Sequence, residues 1–140
     1  MVSNTKFELY CDGGARGNPG PAAIGVVCYR DKETIFEITE YIGETTNNIA
    51  EYRALIAGLE ELSRRQITEE VAVYLDSELV VRQVNGQYRV KDSKLQPLYG
   101  IVQDLKQNFQ IISFDHIPRI KNKIADSLVN KSLDEHQYVK

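Results

Sequence analysis

The chain has 140 residues and a mass of 15.9 kDa, 42% hydrophobic and 26% charged, which are the proportions of an ordinary water-soluble globule long enough to bury a proper core. No apolar run approaches the ~20 residues that span a bilayer, and Met1 to Lys6 lacks the basic start and apolar centre of a signal peptide, so a single cytoplasmic domain over residues 1–140, with no membrane partner, is expected. The net charge of −3 (17 cations less 20 acids) and pI near 5.4 are not those of a general nucleic-acid binder, which is usually basic. They leave open acids that gather cations against phosphates.

Residues 5–12, 22–31 and 33–42 read as three consecutive strands. In the first, Phe7, Leu9 and Cys11 share one face, while Glu8, Tyr10 and Asp12 share the other. The stretch after it, Asp12-Gly13-Gly14-Ala15-Arg16-Gly17-Asn18-Pro19-Gly20-Pro21, is too rich in Gly and Pro for a helix and places a carboxylate at a strand end beside exposed backbone. That is a plausible metal and phosphate site, and equally an ordinary hairpin. Ala22 to Tyr29 is almost continuously apolar, as a strand covered on both faces should be. Thr34 to Ile42 alternates with charges that suit an edge strand. Cys11 and Cys28 fall in strands expected to be neighbours. They read as two small buried thiols, with a cross-strand disulfide as the alternative in an oxidising compartment; neither their number nor their spacing suggests zinc.

A first helix follows, capped by Thr46, Asn47 or Asn48, with Ile49, Ala50, Leu55, Ile56, Leu59 and Leu62 on its apolar face. A fourth strand, 69–76, again finishes in an aspartate, Asp76. Ser77 caps a short second helix, Glu78 to Val84, stopped by Asn85-Gly86. The third helix, Lys94 to Asn108, carries Leu95, Leu98, Ile101, Val102 and Leu105 inward and tolerates Pro97 in its first turn. A fifth strand, 110–117, and a final helix from Lys121 to about Gln137, with Ile124, Leu128, Val129 and Leu133 inward, complete the chain. His136 carries no motif and is expected in solvent, and the sequon Asn130-Lys131-Ser132 is read as chance. An antiparallel meander continuing into helix-linked strands predicts an α/β fold, a mixed five-stranded sheet with helices on both faces.

Asp12 then acquires partners. Glu51 lies in the first turns of the first helix, Asp76 at the end of the fourth strand, and Asp126 in the first turn of the last helix. These are element ends, where an open sheet presents its ligand crevice, and each has an apolar neighbour (Ala50, Leu75, Ala125) that will be buried. Any one of these acids alone reads better as a cap or turn residue; four together do not.

These segments resemble ribonuclease H of type 1 over almost the whole chain, from Phe7 to about Leu133. They are Asp12-Gly13-Gly14 with Gly17-Asn18-Pro19-Gly20, then Thr46-Asn47-Asn48-x-x-Glu51, Leu75-Asp76-Ser77 and Asn122-x-x-Ala125-Asp126. The resemblance implies a ribonuclease H-like sheet of order 3-2-1-4-5 and an endonuclease that cuts the RNA strand of an RNA–DNA hybrid. It implies that Asp12, Glu51, Asp76 and Asp126 hold two Mg²⁺ ions about 3.5–4 Å apart, with Mn²⁺ as an alternative. Asp12 bridges both ions in this analogy, and the products carry 5′-phosphate and 3′-hydroxyl. On the RNA side it points to the amides of Gly13, Gly14 and Ala15 with Asn18 and Asn47, at the DNA phosphate to Thr46, and to Ser77 as a further substrate-binding residue. Glu78 stands where members often have Gln, which puts that RNA contact in doubt. His116 has the spacing of the family's loop histidine but belongs to a strand, and Arg119, nearer the site, is the competing cation. The basic insertion that grips the hybrid in some members is missing: Asn85 to Ser93 holds only Arg89 and Lys91 as cations. Weaker and more salt-sensitive hybrid binding, by a monomer, is the expectation.

The rivals are a ribonuclease H-fold nuclease acting also or mainly on double-stranded RNA, and a non-catalytic hybrid-binding module, whose mark would be a missing acid. Fold analogy alone does not separate the first of these. A nucleotide-binding domain is rejected, since neither G-x-x-x-x-G-K-[ST] nor G-x-G-x-x-G occurs and the Gly-rich loop leads into a strand.

Overall fold

A computed structural model describes residues 6–138. Strands β1 (Lys6–Ala15), β2 (Gly20–Arg30) and β3 (Glu33–Thr45) form an antiparallel meander, and β4 (Glu70–Leu75) and β5 (Ile111–His116) extend it in parallel, giving the order β3-β2-β1-β4-β5. Helices α1 (Asn47–Arg64), α2 (Glu78–Val84), α3 (Gln96–Lys106) and α4 (Lys123–Tyr138) follow their strands, with a single 3₁₀ turn at Arg119–Lys121 before α4.

The period-2 alternation of β1 sorts the two layers. Phe7, Leu9 and Cys11 enter the main core with Tyr52, Leu55, Leu59 and Leu62 of α1, Val80 and Val84 of α2, and Leu95 and Val102 of α3. The opposite face meets α4, where Ala23 packs with Val129 and Leu133 and, more loosely, Tyr41. Central β2 is therefore covered twice, as its continuous apolar run requires. Inside the main core, the Tyr52 hydroxyl donates to Gln83 Oε1 at 2.7 Å, tying α1 to α2 and satisfying two buried polar groups.

Three sequence expectations need correction. β1 does not end at Asp12, because Gly13, Gly14 and Ala15 stay paired with Ile24, Ala23 and Ala22, and only residues 16–19 turn. Ile101 and Ile124, placed inward by helical periodicity, are 41% and 47% exposed; each lies at the edge of a stripe whose centre, Val102 or Ala125 with Leu128, takes the burial. His136 is half-buried, its ring stacked on Tyr41 with centroids 3.7 Å apart. The cysteines are buried free thiols on adjacent strands but not opposite one another: Cys11 faces Val26 and Cys28 faces Leu9. Burial holds both above the ordinary thiol range, Cys28 at about 12.

Two glycines let the layers approach. A Cβ on Gly25 would lie 2.2 Å from the Ala125 carbonyl oxygen and 2.8 Å from Leu128 Cβ, so α4 rests directly on the β2 backbone. Gly25→Ala is expected to lower the urea midpoint by the equivalent of about 1–3 kcal/mol, the usual cost of overpacking. An unchanged midpoint would mean that α4 is not seated there. The second glycine, Gly13, belongs to the site.

Candidate active site

Strands β1 and β4 run in parallel with Cys11 opposite Leu75, so Asp12, three residues before the end of β1, lies beside Asp76, the residue just after β4. Glu51 arrives from α1. The Thr46 side chain starts that helix by accepting from Ile49 N at 3.3 Å, which sets Glu51 in its second turn. A Cβ on Gly13 would fall 2.2 Å from both the carbonyl carbon and oxygen of Ala50, so only glycine lets β1 and α1 touch backbone to backbone here. Across that seam the Gly13 amide donates to Glu51 Oε1.

The result is a compact acidic centre. Asp12, Glu51 and Asp76 each offer an oxygen within 4.8 Å of the others. Asp12 and Glu51 are only 7% and 6% exposed. Burial, then the charge of Asp76, pushes Asp12 up to about 7, with Asp126 adding to the effect. Glu51 lies well above the usual carboxylate range, through burial and then the charges of Asp12 and Asp76, against which the Gly13 amide works. Three crowded carboxylates, two of them held above their ordinary range, are a donor set short of positive charge. Hard oxygen donors at this spacing fit a divalent cation.

Asp126, in the first turn of α4, faces the same cleft from outside the triad. Arg119 Nη2 donates to its Oδ1 at 3.4 Å, and Asn130 Nδ2 to its Oδ2 at 3.5 Å. The cleft, about 460 Å³, is also lined by Gly13, Gly14, Ala15, Arg16, Asn47, Ser77 and Arg119. Asn47 caps nothing: its Oδ1 accepts from the Ala15 amide at 2.8 Å, and its own amide donates to Asn18 Oδ1 at 3.0 Å, lacing the β1–β2 turn to α1. Ser77 Oγ accepts from Val80 N and starts α2, so its hydroxyl, like that of Thr46, already has a structural task. His116 is exposed at the end of β5 and lines a different cleft, with Glu78, Arg82 and Asn85.

Sequence reading passed over Arg16 and Asn130. Arg16 Nη2 pairs with Asp134 Oδ1 at 2.7 Å and reaches Asn130 Oδ1 at 3.4 Å, joining the hairpin turn to α4. The available signal was a cation set among glycines; its partners lie more than a hundred residues away and leave no local trace.

Comparison with known proteins places this geometry. The family model described as Reverse transcriptase-like matches residues 10–132. The chain is 44% identical over 131 residues to Bifunctional protein Rv2228c of Mycobacterium tuberculosis, covering 92% of this chain but 36% of that protein, so it spans about a third of that relative's length. It is 39% identical to Ribonuclease HI of Halobacterium salinarum over 93% of this chain and 65% of that one. Among solved structures, LC11-RNase H1 in complex with an RNA/DNA hybrid superposes with a TM-score of 0.88 at 47% identity, over 94% of this chain and 99% of that one. Sheet order, the acidic centre and these likenesses agree, and the chain belongs to the ribonuclease H family of type 1.

Proposed function

We propose that this protein is an endonuclease that hydrolyses the RNA strand of RNA–DNA hybrids, using divalent cations held by Asp12, Glu51, Asp76 and Asp126. The observation that carries this reading is the triad of carboxylates, two of them buried, in a cleft also lined by Gly13 to Arg16 and by asparagine side chains. Mg²⁺ is the expected ion, two per site, with Mn²⁺ able to replace it. When bound, such ions supply an activated water and neutralise charge on the scissile phosphate. Four acids on four different elements also argue against a non-catalytic module.

The remaining work falls to the chain. Gly13 holds Glu51 through its amide, so the carboxylate's outward oxygen is the one offered to a cation. The Oδ1 atoms of Asn18 and Asn47 are committed inside the protein, which leaves their Nδ2 groups to donate to RNA 2′-hydroxyls in a wide minor groove. Gly14, Ala15 and Ser77 border the same wall, and Thr46 stands at the start of α1, where an anion is favoured. Arg119, with its side chain 80% exposed, takes the phosphate-facing cationic role in this reading, and His116 lies outside the cleft. Hydrolysis is expected to leave 5′-phosphate and 3′-hydroxyl ends.

The test is incubation with labelled RNA–DNA hybrid, duplex RNA and duplex DNA, each with Mg²⁺, Mn²⁺ or chelator. Metal-dependent cutting confined to the hybrid's RNA strand is expected. Preferential cutting of duplex RNA would shift the substrate to the rival reading, and no cutting in any arm would sink the activity.

The connection between α2 and α3 carries Arg89, Lys91 and Lys94. Each phosphate neutralised contributes to the salt slope, so three or four such contacts predict about a 10²-fold loss of hybrid affinity between 50 and 200 mM salt. This revises the expectation from sequence: few cations mean weak binding with a shallow slope, not a steeper one. Fluorescence anisotropy across that range measures it.

A further inference from the structure

Asn122 occupies the junction between the 3₁₀ turn and α4 and is 1% exposed. Its Nδ2 donates to the Cys11 carbonyl at 2.9 Å and to Asp76 Oδ2 at 3.3 Å. Its backbone amide donates to the Arg119 carbonyl at 2.9 Å, and its backbone carbonyl accepts from the Asp126 amide at 3.0 Å. One residue therefore grips β1 at the peptide just before Asp12, the Asp76 carboxylate itself, and the helical turn that carries Asp126.

The other end of the side chain is left bare. Asn122 Oδ1 is a buried side-chain oxygen with no hydrogen-bond partner among the described residues. An unmade bond of this kind costs stability, and such costs collect where function demands them. Turning the amide over would not recover it, because Oδ1 would then face a carbonyl and a carboxylate, two acceptors against a third. The orientation is set by its donors alone.

We infer that Asn122 is the positioning residue of the acidic centre: its hydrogen bonds fix Asp76 and Asp126 relative to the strand that carries Asp12 and orient the Asp76 carboxylate for a cation. The inference rests on the proposed cation site but not on the nature of the substrate. It is tested by Mn²⁺ titration of the full chain without nucleic acid, followed by electron paramagnetic resonance. Asn122→Ala and the near-isosteric Asn122→Leu should each weaken Mn²⁺ binding about tenfold or more, the usual loss when a group orienting a metal ligand is removed. Circular dichroism identifies which variant is folded; Leu fills the space if Ala unfolds. Tyr52→Phe removes a comparable buried hydrogen bond, to Gln83, and should lower thermal stability while leaving Mn²⁺ affinity within about twofold. With hybrid present, the folded Asn122 variants should lose kcat at fixed metal with KM little changed, and excess metal should restore the rate. Wild-type affinity in the Asn122 variants, or an equal loss in Tyr52→Phe, overturns the inference. A wild type that binds Mn²⁺ but cuts no hybrid overturns the proposed activity and leaves Asn122 to be judged on the titration.

Discussion

Asp12→Asn is expected to reduce hybrid cleavage by about 10³-fold or more, while making the metal-free protein harder to unfold at pH 8. The two effects share one cause. Asp12 is buried against Asp76 with its pKa pushed up to about 7, so above that pH its charge is present in a place that disfavours it. Asparagine keeps the shape and removes the charge, relieving about 2–4 kcal/mol of linkage free energy. It also replaces one of the three clustered carboxylates by a neutral amide, and so weakens the site's hold on a cation. Gel assays and thermal unfolding in chelator measure the two halves. An active Asp12→Asn protein would remove Asp12 from the centre, and a less stable one would show that its charge is not strained.

In chelator, the wild type is expected to lose stability as pH rises from about 4 through about 7. The folded protein holds a proton on Asp12 over that window, whereas the unfolded chain, with an ordinary aspartate, has released it. Where the native state binds more protons, stability falls with rising pH, by about 1.4 kcal/mol per pH unit for one group. Glu51, raised well above its ordinary value by burial, acts in the same direction and carries the decline to higher pH. This contribution is complete below the unfolded value and lost as pH climbs through the folded one. A divalent cation requires the charged forms, so its addition should release protons and raise the unfolding temperature far more at pH 8 than at pH 5. Equal increments at the two pH values would mean that the cation does not bind where the protons leave.

The fold was legible because its signals are local. Thr46 and Ser77 cap the helices whose starts they mark, Pro97 sits in the first turn of α3, and the unbroken apolar run of β2 announces a strand covered on both sides. That the four acids would meet in one cleft was legible through their spacing and local context. Periodicity misled at Ile101 and Ile124 because it finds a stripe without fixing how wide a layer covers it. Glycine misled at Gly13 and Gly14, where the pattern of a turn conceals two more strand residues. The roles of Asn122, Arg16 and Asn130 could not be read, since each depends on partners brought together only by the finished sheet and α4.

The bare contact of Gly13 with Ala50 has a consequence for how this site could change. Side chains in a core can be exchanged and the neighbours can repack around them, but two backbones already in contact leave nothing to exchange. The distance between Asp12 and Glu51 is thereby a property of the main chain, inherited from the seam. A small drift of α1 against β1 would alter the bite offered to an ion, and so the ionic radius preferred, before it cost much stability. The seam works as a gauge block for this pair of acids.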